Sequence, residues 1–284
     1  TDGAGEHARQ TMAGLSRRAA SMYHGDLVPA LAREGVVLVD ERTLTADERR
    51  AVDVAFDRQI APHAQILWAD DGRIGPSVPG LGLTLAVELT DATGLDRLAF
   101  LHLPDRPSSL VTFTPDPSRG AHVHRSDAVG VMWAADVVLA RLPRLLPGCT
   151  IRATHIFRLV REGDLVVSAN ETQPLAERVI DATRRRDTQS VVLLTLPSSM
   201  PSALVKQLTS VFDVEDRAIL RDREVHDWSR LWDLTRLPRP DLRHEPFTPS
   251  RPDSLTDTCL FRAIRDRDHL LHHPYQSFDP VLDL

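Results

Sequence analysis

The sequence predicts an α+β fold in which a mostly antiparallel sheet packs against helices and one long helix precedes it. The long helix is indicated by residues 5–34, which are rich in alanine and arginine. Three strand-like segments then follow one another without a helical segment between them, at residues 83–89, 97–103 and 109–114. This order favours an antiparallel meander. Apolar residues at helical spacing elsewhere supply helices that can cover such a sheet.

The first helix is expected to end near Gly35, because glycine readily adopts the left-handed conformation that closes a helix. A short strand follows at residues 36–39. A rough apolar stripe runs along the helix and consists of Met12, Leu15, Met22, Leu27 and Leu31.

A second helix is predicted by the sequence TADE at residues 45–48. This is a capping box, in which the Thr45 hydroxyl accepts from the Glu48 N–H and the Glu48 carboxylate accepts from the Thr45 N–H. Pro62 should mark the end of the helix. Its apolar face is given by Val52, Phe56 and Ile60.

The elements in the middle of the chain are predicted from turn residues and from the alternation of apolar and polar residues. Residues 64–82 contain four glycines and two prolines, which indicates a loop. Residues 83–89 alternate between apolar and polar positions, as in a half-buried strand. The further predicted elements are a helix from Ser126 to about Leu146, a strand at 150–160, a helix from 171 or 172 to Arg186, a strand at 191–196 buried on both faces, helices at 202–212 and 227–234, a proline-rich connector at 237–254 and a helix at 257–267.

The composition limits the possible classes of function. Of the 284 residues, 42% are hydrophobic and 26% are charged, as is usual for a globular protein. Lysine and arginine total 34 against 40 aspartates and glutamates, a net charge of −6, so any contact with a polyanion must be local. No apolar run approaches the roughly 18 residues of a membrane span, and no signal peptide is visible. Cys149 and Cys259 give no disulfide framework, so a cytoplasmic location is expected.

Residues 264–279, IRDRDHLLHHPYQSFD, resemble a signature of the polyphosphate kinases, I-R-x-x-D-x-L-L-H-H-P-Y-x-S-F. Those enzymes have an N-terminal helical domain, a head domain and two phospholipase D-like catalytic domains. In the family the signature marks the passage from the head domain to the first catalytic domain. Further segments resemble the family in the same order, at residues 27–36, 157–165, 184–194, 200–204 and 240–249.

Two segments depart from the family pattern. Residues 60–64, IAPHA, stand where the family has F-P-V-L-T-P-L. Residues 75–82 lack the family string H-P-F-P. We therefore expect a divergent member with an altered structure in this loop.

The resemblance implies three parts: the end of the N-terminal domain at residues 1–35, the head domain at 36–266, and the start of the first catalytic domain at 267–284. It also implies a parent enzyme that reversibly transfers the γ-phosphate of ATP to polyphosphate through a phosphohistidine, with ATP and magnesium as its ligands. In the family, the phosphorylated histidine and the nucleotide-contacting segment would both fall outside this chain. We therefore expect an inactive, non-catalytic head region that forms a homodimer and has no catalytic, cofactor-binding or metal residue of its own.

Other side chains have ligand-binding interpretations that compete with structural ones. A basic run could bind phosphate; it consists of Arg184, Arg185 and Arg186. The competing interpretation is structural, because cations at a helix C-terminus offset the helix dipole. Metal ligands could come from histidines and aspartates, namely His122, His124, Asp266, Asp268, His269, His272 and His273. Adjacent His272 and His273 would point in opposite directions on a strand, which makes them a poor pair.

Two further patterns argue against nucleotide and nucleic-acid sites. The glycines of the predicted loop are not followed by the Gly-Lys-Ser/Thr of a phosphate loop; they are Gly72, Gly75, Gly80 and Gly82. The tryptophans do not alternate with basic residues, as a single-stranded nucleic-acid site would require; they are Trp68, Trp133, Trp228 and Trp232.

Two alternative functions stay open from the sequence. The chain could be a free-standing head-like interaction module that scaffolds or dimerises without kinase activity. It could also be a metal-dependent phosphohydrolase that uses the histidines around His272. The length of the natural gene product separates the kinase from the module, because the kinase needs several hundred further residues.

Overall fold

The computed structural model describes residues 2–69, 78–103, 108–120, 123, 126–162, 189–252, 255 and 260–282. The chain divides into two compact units, Thr1–Arg236 and Leu237–Leu284. The predicted helix that ends at Arg186 lies outside the described residues, as do His122 and His124. The domain boundaries after residues 35 and 266 stay a prediction.

The first unit combines helices with two sheets, which confirms the predicted α+β class. Its helices are α1 (Asp2–Met22), α2 (Val28–Arg33), α3 (Ala46–Ala55), α4 (Ala134–Leu145) and α5 (Ser202–Phe212). Its strands are β1 (Val36–Leu38), β2 (Ile66–Trp68), β3 (Leu83–Thr90), β4 (Asp96–His102), β5 (Leu110–Phe113), β6 (Val129–Trp133), β7 (Thr150–Arg161), β8 (Val191–Pro197) and β9 (Ile219–Asp222). Antiparallel pairs predominate, and among the described strands the β1–β6 and β8–β9 pairs are parallel.

The N-terminal helical segment confirms the predicted long helix. Helix α1 continues through a π-helical turn, Tyr23–Leu27, into α2. Gly35 follows with φ +82°, the left-handed conformation that the sequence predicted for a helix cap. The π-helical turn buries Tyr23, whereas three stripe residues of α1 are exposed, namely Met12 (42%), Leu15 (60%) and Met22 (54%).

The first sheet has three strands in the order β1-β6-β5. Two predictions for this region are wrong. The helix expected from Ser126 begins only at Ala134, because residues 129–133 form β6. Strand β6 pairs with β1 on one side and β5 on the other, and these long-range pairings outweigh local helix propensity. The expected meander also ends early, since β5 joins this sheet and not the one that contains β3 and β4.

The second sheet has six strands in the order β2-β4-β3-β7-β8-β9. Strand β2 lies inside residues 64–82, which the sequence predicted to be loop. It pairs with β4, with Leu67 opposite Phe100. The glycines and prolines of this segment all follow Trp68, so the turn signal was assigned to too long a stretch.

Strands β3 and β8 differ from their predicted burial. In β3, Leu85 and its two neighbours Thr84 and Ala86, which point to the opposite face, are all fully buried. Strand β3 is an inner strand between β4 and β7, and core residues cover both faces of the sheet. Strand β8 was expected to be buried on both faces, yet Val192 is 49% exposed. Its buried residues are Val191, Leu194 and Leu196, which leaves the opposite face only partly covered.

The six-stranded sheet carries an apolar core on each face. One core packs α3 and α4 against the sheet and includes the predicted Val52, Phe56 and Ile60. The other core packs α5 against it and includes Leu204, Leu208 and Phe212. Helix α3 passes into a π-helical turn that ends at Ile60, and a 3-10 turn, Ala61–His63, contains Pro62.

Helix α3 begins with the predicted capping box. The Glu48 N–H donates to Thr45 Oγ1 at 3.4 Å, and the Thr45 N–H donates to Glu48 Oε2 at 2.9 Å. The structure adds a buried ion pair, because Arg119 Nε donates to Glu48 Oε1 at 2.7 Å. Glu48 is 2% exposed.

The remaining elements of the first unit and the whole second unit are short. The helix predicted at 227–234 is a 3-10 helix, Trp228–Arg236. In the second unit, a 3-10 turn, Pro240–Leu242, interrupts the predicted connector, and α6 (Leu260–Asp266) and α7 (Asp279–Leu282) follow. Residues 273–275 of this unit form a turn, and Ser250 makes a parallel bridge to Gln276. Within the described ranges, no helix is both long and apolar enough to cross a membrane.

Candidate ligand pocket

The histidines near the end of the chain make local contacts in the second unit. His269 Nε2 lies 3.1 Å from the carbonyl oxygen of Ala263. His273 Nδ1 lies 2.9 Å from the carbonyl oxygen of Gln276. Among the described residues, no three or more histidine, cysteine, aspartate or glutamate side chains are grouped to hold a metal ion.

Two of the glycines noted in the sequence, Gly80 and Gly82, lie in the described residues. A Cβ atom on Gly82 would lie 2.4 Å from the His102 ring, so a side chain there would displace this ring. Gly80 lies against Arg161, where a Cβ atom would make an ordinary 3.4 Å contact, so packing does not require glycine there. Gly72 and Gly75 lie outside the described residues.

The four tryptophans divide between two settings. Trp68 lies under the guanidinium group of Arg97, 4.5 Å from its ring centroid, and Trp232 is 72% exposed. Trp133 and Trp228 instead line one cavity of about 540 Å³ in the first unit. This volume is within the roughly 300–1,000 Å³ of typical ligand pockets.

The pocket is formed by four parts of the first unit that are distant in sequence. Tyr23 comes from the π-helical turn, Asp136 from the first turn of α4, and His155 from the middle of β7. His226 and Trp228 come from the segment that follows β9. Strand β6 ends at Trp133, which directly precedes α4, so Trp133 and Asp136 reach the same cavity.

Aromatic rings form one wall of this pocket. The Trp133 Nε1–H donates to Tyr23 Oη at 2.9 Å. The His226 and Trp228 rings are 4.3 Å apart at a tilt of 30°, and the Trp228 ring meets the Tyr23 ring edge-on at 6.0 Å. Burial raises the pKa of Tyr23. These contacts connect the helical turn to the segment after β9.

Asp136 is an acidic group of the pocket without a described partner. It is accessible to solvent, but it lies on a concave surface with protein atoms on several sides. Desolvation by these atoms, together with the charge of Asp40, raises the pKa of Asp136 to about 6. No hydrogen bond or ion pair to its carboxylate is present within the described residues.

Two histidines of the pocket have buried ring nitrogens that lack a hydrogen bond. His155 Nε2 has no hydrogen-bond partner among the described residues. His226 Nε2 lies 3.2 Å from Glu224 Oε2, but without the geometry of a hydrogen bond. Burial lowers the pKa of His226, which opposes the effect of Glu224.

Sequence reasoning did not find this pocket. Its members are spread from residue 23 to residue 231 and form no motif of fixed spacing. Trp133 and Trp228 were noted only as tryptophans. The sequence contains only single-residue signals for the pocket. One is Asp136, in the first turn of α4, a helix whose N-cap residue makes no side-chain hydrogen bond.

A family model places the chain in one class of protein, the middle-domain region of a kinase family. The family model described as "Polyphosphate kinase middle domain" matches residues 47–234, which is most of the first unit. The chain belongs to the polyphosphate kinase family.

Relatives agree with this assignment, and a solved structure has a similar fold. The chain is 31% identical over 264 residues to the polyphosphate kinase of Prosthecochloris aestuarii, covering 92% of this chain and 37% of that protein. It is 28% identical over 275 residues to the polyphosphate kinase of Neisseria gonorrhoeae, covering 95% of this chain and 39% of that protein. The chain therefore spans less than two fifths of the length of these two relatives. The crystal structure of polyphosphate kinase from Porphyromonas gingivalis has the same fold, with a TM-score of 0.61 at 19% identity over 98% of this chain and 40% of that one.

Proposed function

We propose that this chain acts as the head region of a polyphosphate kinase, an enzyme that reversibly transfers the γ-phosphate of ATP to polyphosphate through a phosphohistidine. The observation that supports the proposal most strongly is the family match over residues 47–234. In this proposal the chain has a structural role. ATP and magnesium act only together with parts of the enzyme outside these residues.

The proposal is tested with the full-length product of the gene that encodes this chain. Incubation with γ-labelled ATP and magnesium should give acid-labile, base-stable label on the protein and then labelled polyphosphate. The 284-residue chain alone should give neither product. A full-length product that never forms phosphoprotein or polyphosphate would instead support a head-like scaffold without kinase activity.

The proposed structural role includes homodimer formation through helix α1. Leu15 and Met22 are 60% and 54% exposed on this helix, and exposed apolar patches often pair with a second copy. The double substitution Leu15→Glu and Met22→Glu should therefore shift the sedimentation of the chain toward the monomer. A matched double substitution at Val54 and Leu95, which are 49% and 61% exposed elsewhere, should leave sedimentation unchanged. A monomer at every concentration for all three proteins would reject the dimer.

A further inference from the structure

We propose that the pocket between Tyr23, Trp133, Asp136, His155 and Trp228 binds a small primary amine, an ammonium group on a short hydrocarbon body. The proposal does not depend on the kinase function, because it concerns a cavity formed wholly within the first unit. The ammonium group would meet the acceptors of the pocket, and the hydrocarbon body would meet its rings.

Two polar groups of the pocket lack a hydrogen-bond partner among the described residues. The Asp136 carboxylate has no hydrogen bond, and neither does the buried Nε2 of His155. Buried polar atoms are normally hydrogen-bonded. An ammonium group carries three N–H donors and no acceptor, so it can serve the Asp136 carboxylate, and it can also serve His155 Nε2 in the tautomer that carries its proton on Nδ1.

The charges around the pocket also favour a cation. The pKa of Asp136 is raised by desolvation and by Asp40, so a positive charge beside its carboxylate would relieve an unfavourable negative charge. Glu224 adds a second carboxylate to the lining. An anionic ligand such as phosphate would meet both carboxylates and would be repelled.

The two arginines of the lining do not reverse this balance. Arg230 is buried and already bound, since its side chain donates to Asp227 Oδ2 at 3.3 Å and to the carbonyl oxygen of Leu103 at 3.0 Å. Arg223 and Glu224 are both exposed, so water and salt screen these two opposite charges alike. Because Asp227 neutralises Arg230, Asp136 leaves the lining with a net negative charge.

The aromatic wall gives the second part of the recognition. Tyr23, Trp133 and Trp228 present ring surface to the cavity, and aromatic rings attract both apolar chains and cations. A ligand without an apolar body would leave this surface in contact with water. A short alkylamine has both features that the pocket offers.

The test compares three ligands with the same hydrocarbon chain and different charge: pentylamine, 1-pentanol and pentanoate. Their binding to the full 284-residue chain is measured by calorimetry at about pH 7.5. Pentylamine should bind at least about tenfold more tightly than pentanol, as a charge-assisted hydrogen bond provides, and pentanoate should bind more weakly than pentanol. Equal affinity for amine and alcohol, or tighter binding of pentanoate, would overturn the proposal.

A pair of matched variants locates the binding in this pocket. Asp136→Asn keeps the shape of the side chain and removes its charge, so it should weaken pentylamine binding about tenfold and leave pentanol binding unchanged. Asp213→Asn is the control, because Asp213 is exposed at the left-handed C-cap of α5, outside the pocket lining. Unchanged pentylamine affinity in Asp136→Asn would place the amine elsewhere and reject the proposed site. If Asp136→Asn does not fold, the NMR signals of the Trp133 and Trp228 indole N–H groups in the unmodified chain locate the amine instead. They should shift on addition of pentylamine, and unchanged signals would reject the proposed site.

Discussion

Two carboxylates occupy the same position in two helices of this protein, and their surroundings are opposite. Glu48 is the third residue of α3, and Asp136 is the third residue of α4. Glu48 accepts from the N–H groups of Thr45 and Asp116, at 2.9 and 2.8 Å, and from two nitrogens of Arg119. Asp136 has no such partner among the described residues.

The pKa values of the two groups move in opposite directions. The hydrogen bonds from Arg119 lower the pKa of Glu48 to about 2, against the effect of its burial. Desolvation and Asp40 raise the pKa of Asp136 to about 6. A helix N-terminus favours a negative charge at both positions, so the helix dipole does not decide the outcome. The partners of each carboxylate decide the direction of its pKa shift. We infer that Glu48 stabilises the fold, whereas Asp136 is available to a ligand.

The largest expected effect on stability comes from removing the negative charge of Glu48. Glu48→Gln leaves Arg119, whose side chain is 16% exposed, without its counter-charge. We expect a loss of about 3 kcal/mol in the free energy of unfolding, as for other buried pairs that lose one partner. Urea unfolding at about pH 7 measures it. Asp47→Asn is the control, since Asp47 is 83% exposed and paired with Arg50 on the surface, and it should change stability by less than about 0.5 kcal/mol.

The same substitution should change the response to acid. Because the folded pKa of Glu48 is depressed from 4.5 to about 2, its ionised form stabilises the fold above about pH 4.5, and that stabilisation is lost as the pH falls toward 2. The stability difference between the natural chain and Glu48→Gln should therefore shrink over this range. A difference that stays constant from pH 7 to 2.5 would show that the charge of Glu48 does not cause it.

The two carboxylates also show how much the sequence could predict. The capping box of Thr45 and Glu48 was predicted and is present, because both residues lie within one helical turn. Asp116 and Arg119, which complete the Glu48 site, are 68 and 71 residues away, and no local pattern relates them to α3. The pocket around Asp136 has the same difficulty, since its walls come from four distant segments.

The errors in the predicted fold have the same physical origin. Residues 129–133 were assigned to a helix that Ser126 could cap, but pairing with β1 and β5 makes them a strand. Strand β3 was predicted to be half-buried from its alternation, but apolar cores cover both faces of the sheet, and Thr84 and Ala86 are buried as well. Elements fixed by local contacts, such as α1, α3 and α5, were predicted correctly, whereas long-range strand pairing and two-sided burial were not.

A smaller effect is expected from the capping residue of α3. Thr45→Ala removes the hydroxyl that accepts from the Glu48 N–H but keeps the Glu48–Arg119 pair. We expect a loss of about 1 kcal/mol in the free energy of unfolding, the usual value for an N-cap threonine. Thr209→Ala in α5 is a control of the same chemistry, because its hydroxyl donates only to the carbonyl oxygen of Lys206 within the helix. Equal destabilisation by both substitutions would mean that the cap itself adds nothing.

The smallest expected effect has the opposite sign and concerns Asp136. Its folded pKa is raised from 3.8 to about 6, so its ionised form destabilises the fold, and this penalty appears as the pH rises from about 4 to about 6. Asp136→Asn stays neutral and avoids the penalty. Because Asp136 is accessible to solvent, water screens much of the effect, and the gain in the free energy of unfolding at about pH 8 should be below about 1 kcal/mol.

The measurement is the difference in urea midpoint between the natural chain and Asp136→Asn at about pH 8 and about pH 3.5. The variant should be slightly more stable at the higher pH, and the difference should be much smaller at the lower pH, where Asp136 is mostly protonated in both folded and unfolded chains. Glu48→Gln should show the opposite sign. It should be less stable than the natural chain at the higher pH, and this difference should shrink at the lower pH. If Asp136→Asn were instead destabilising at pH 8, the ionised carboxylate would be a stabilising group of α4, and the contrast between the two helix N-termini would fail.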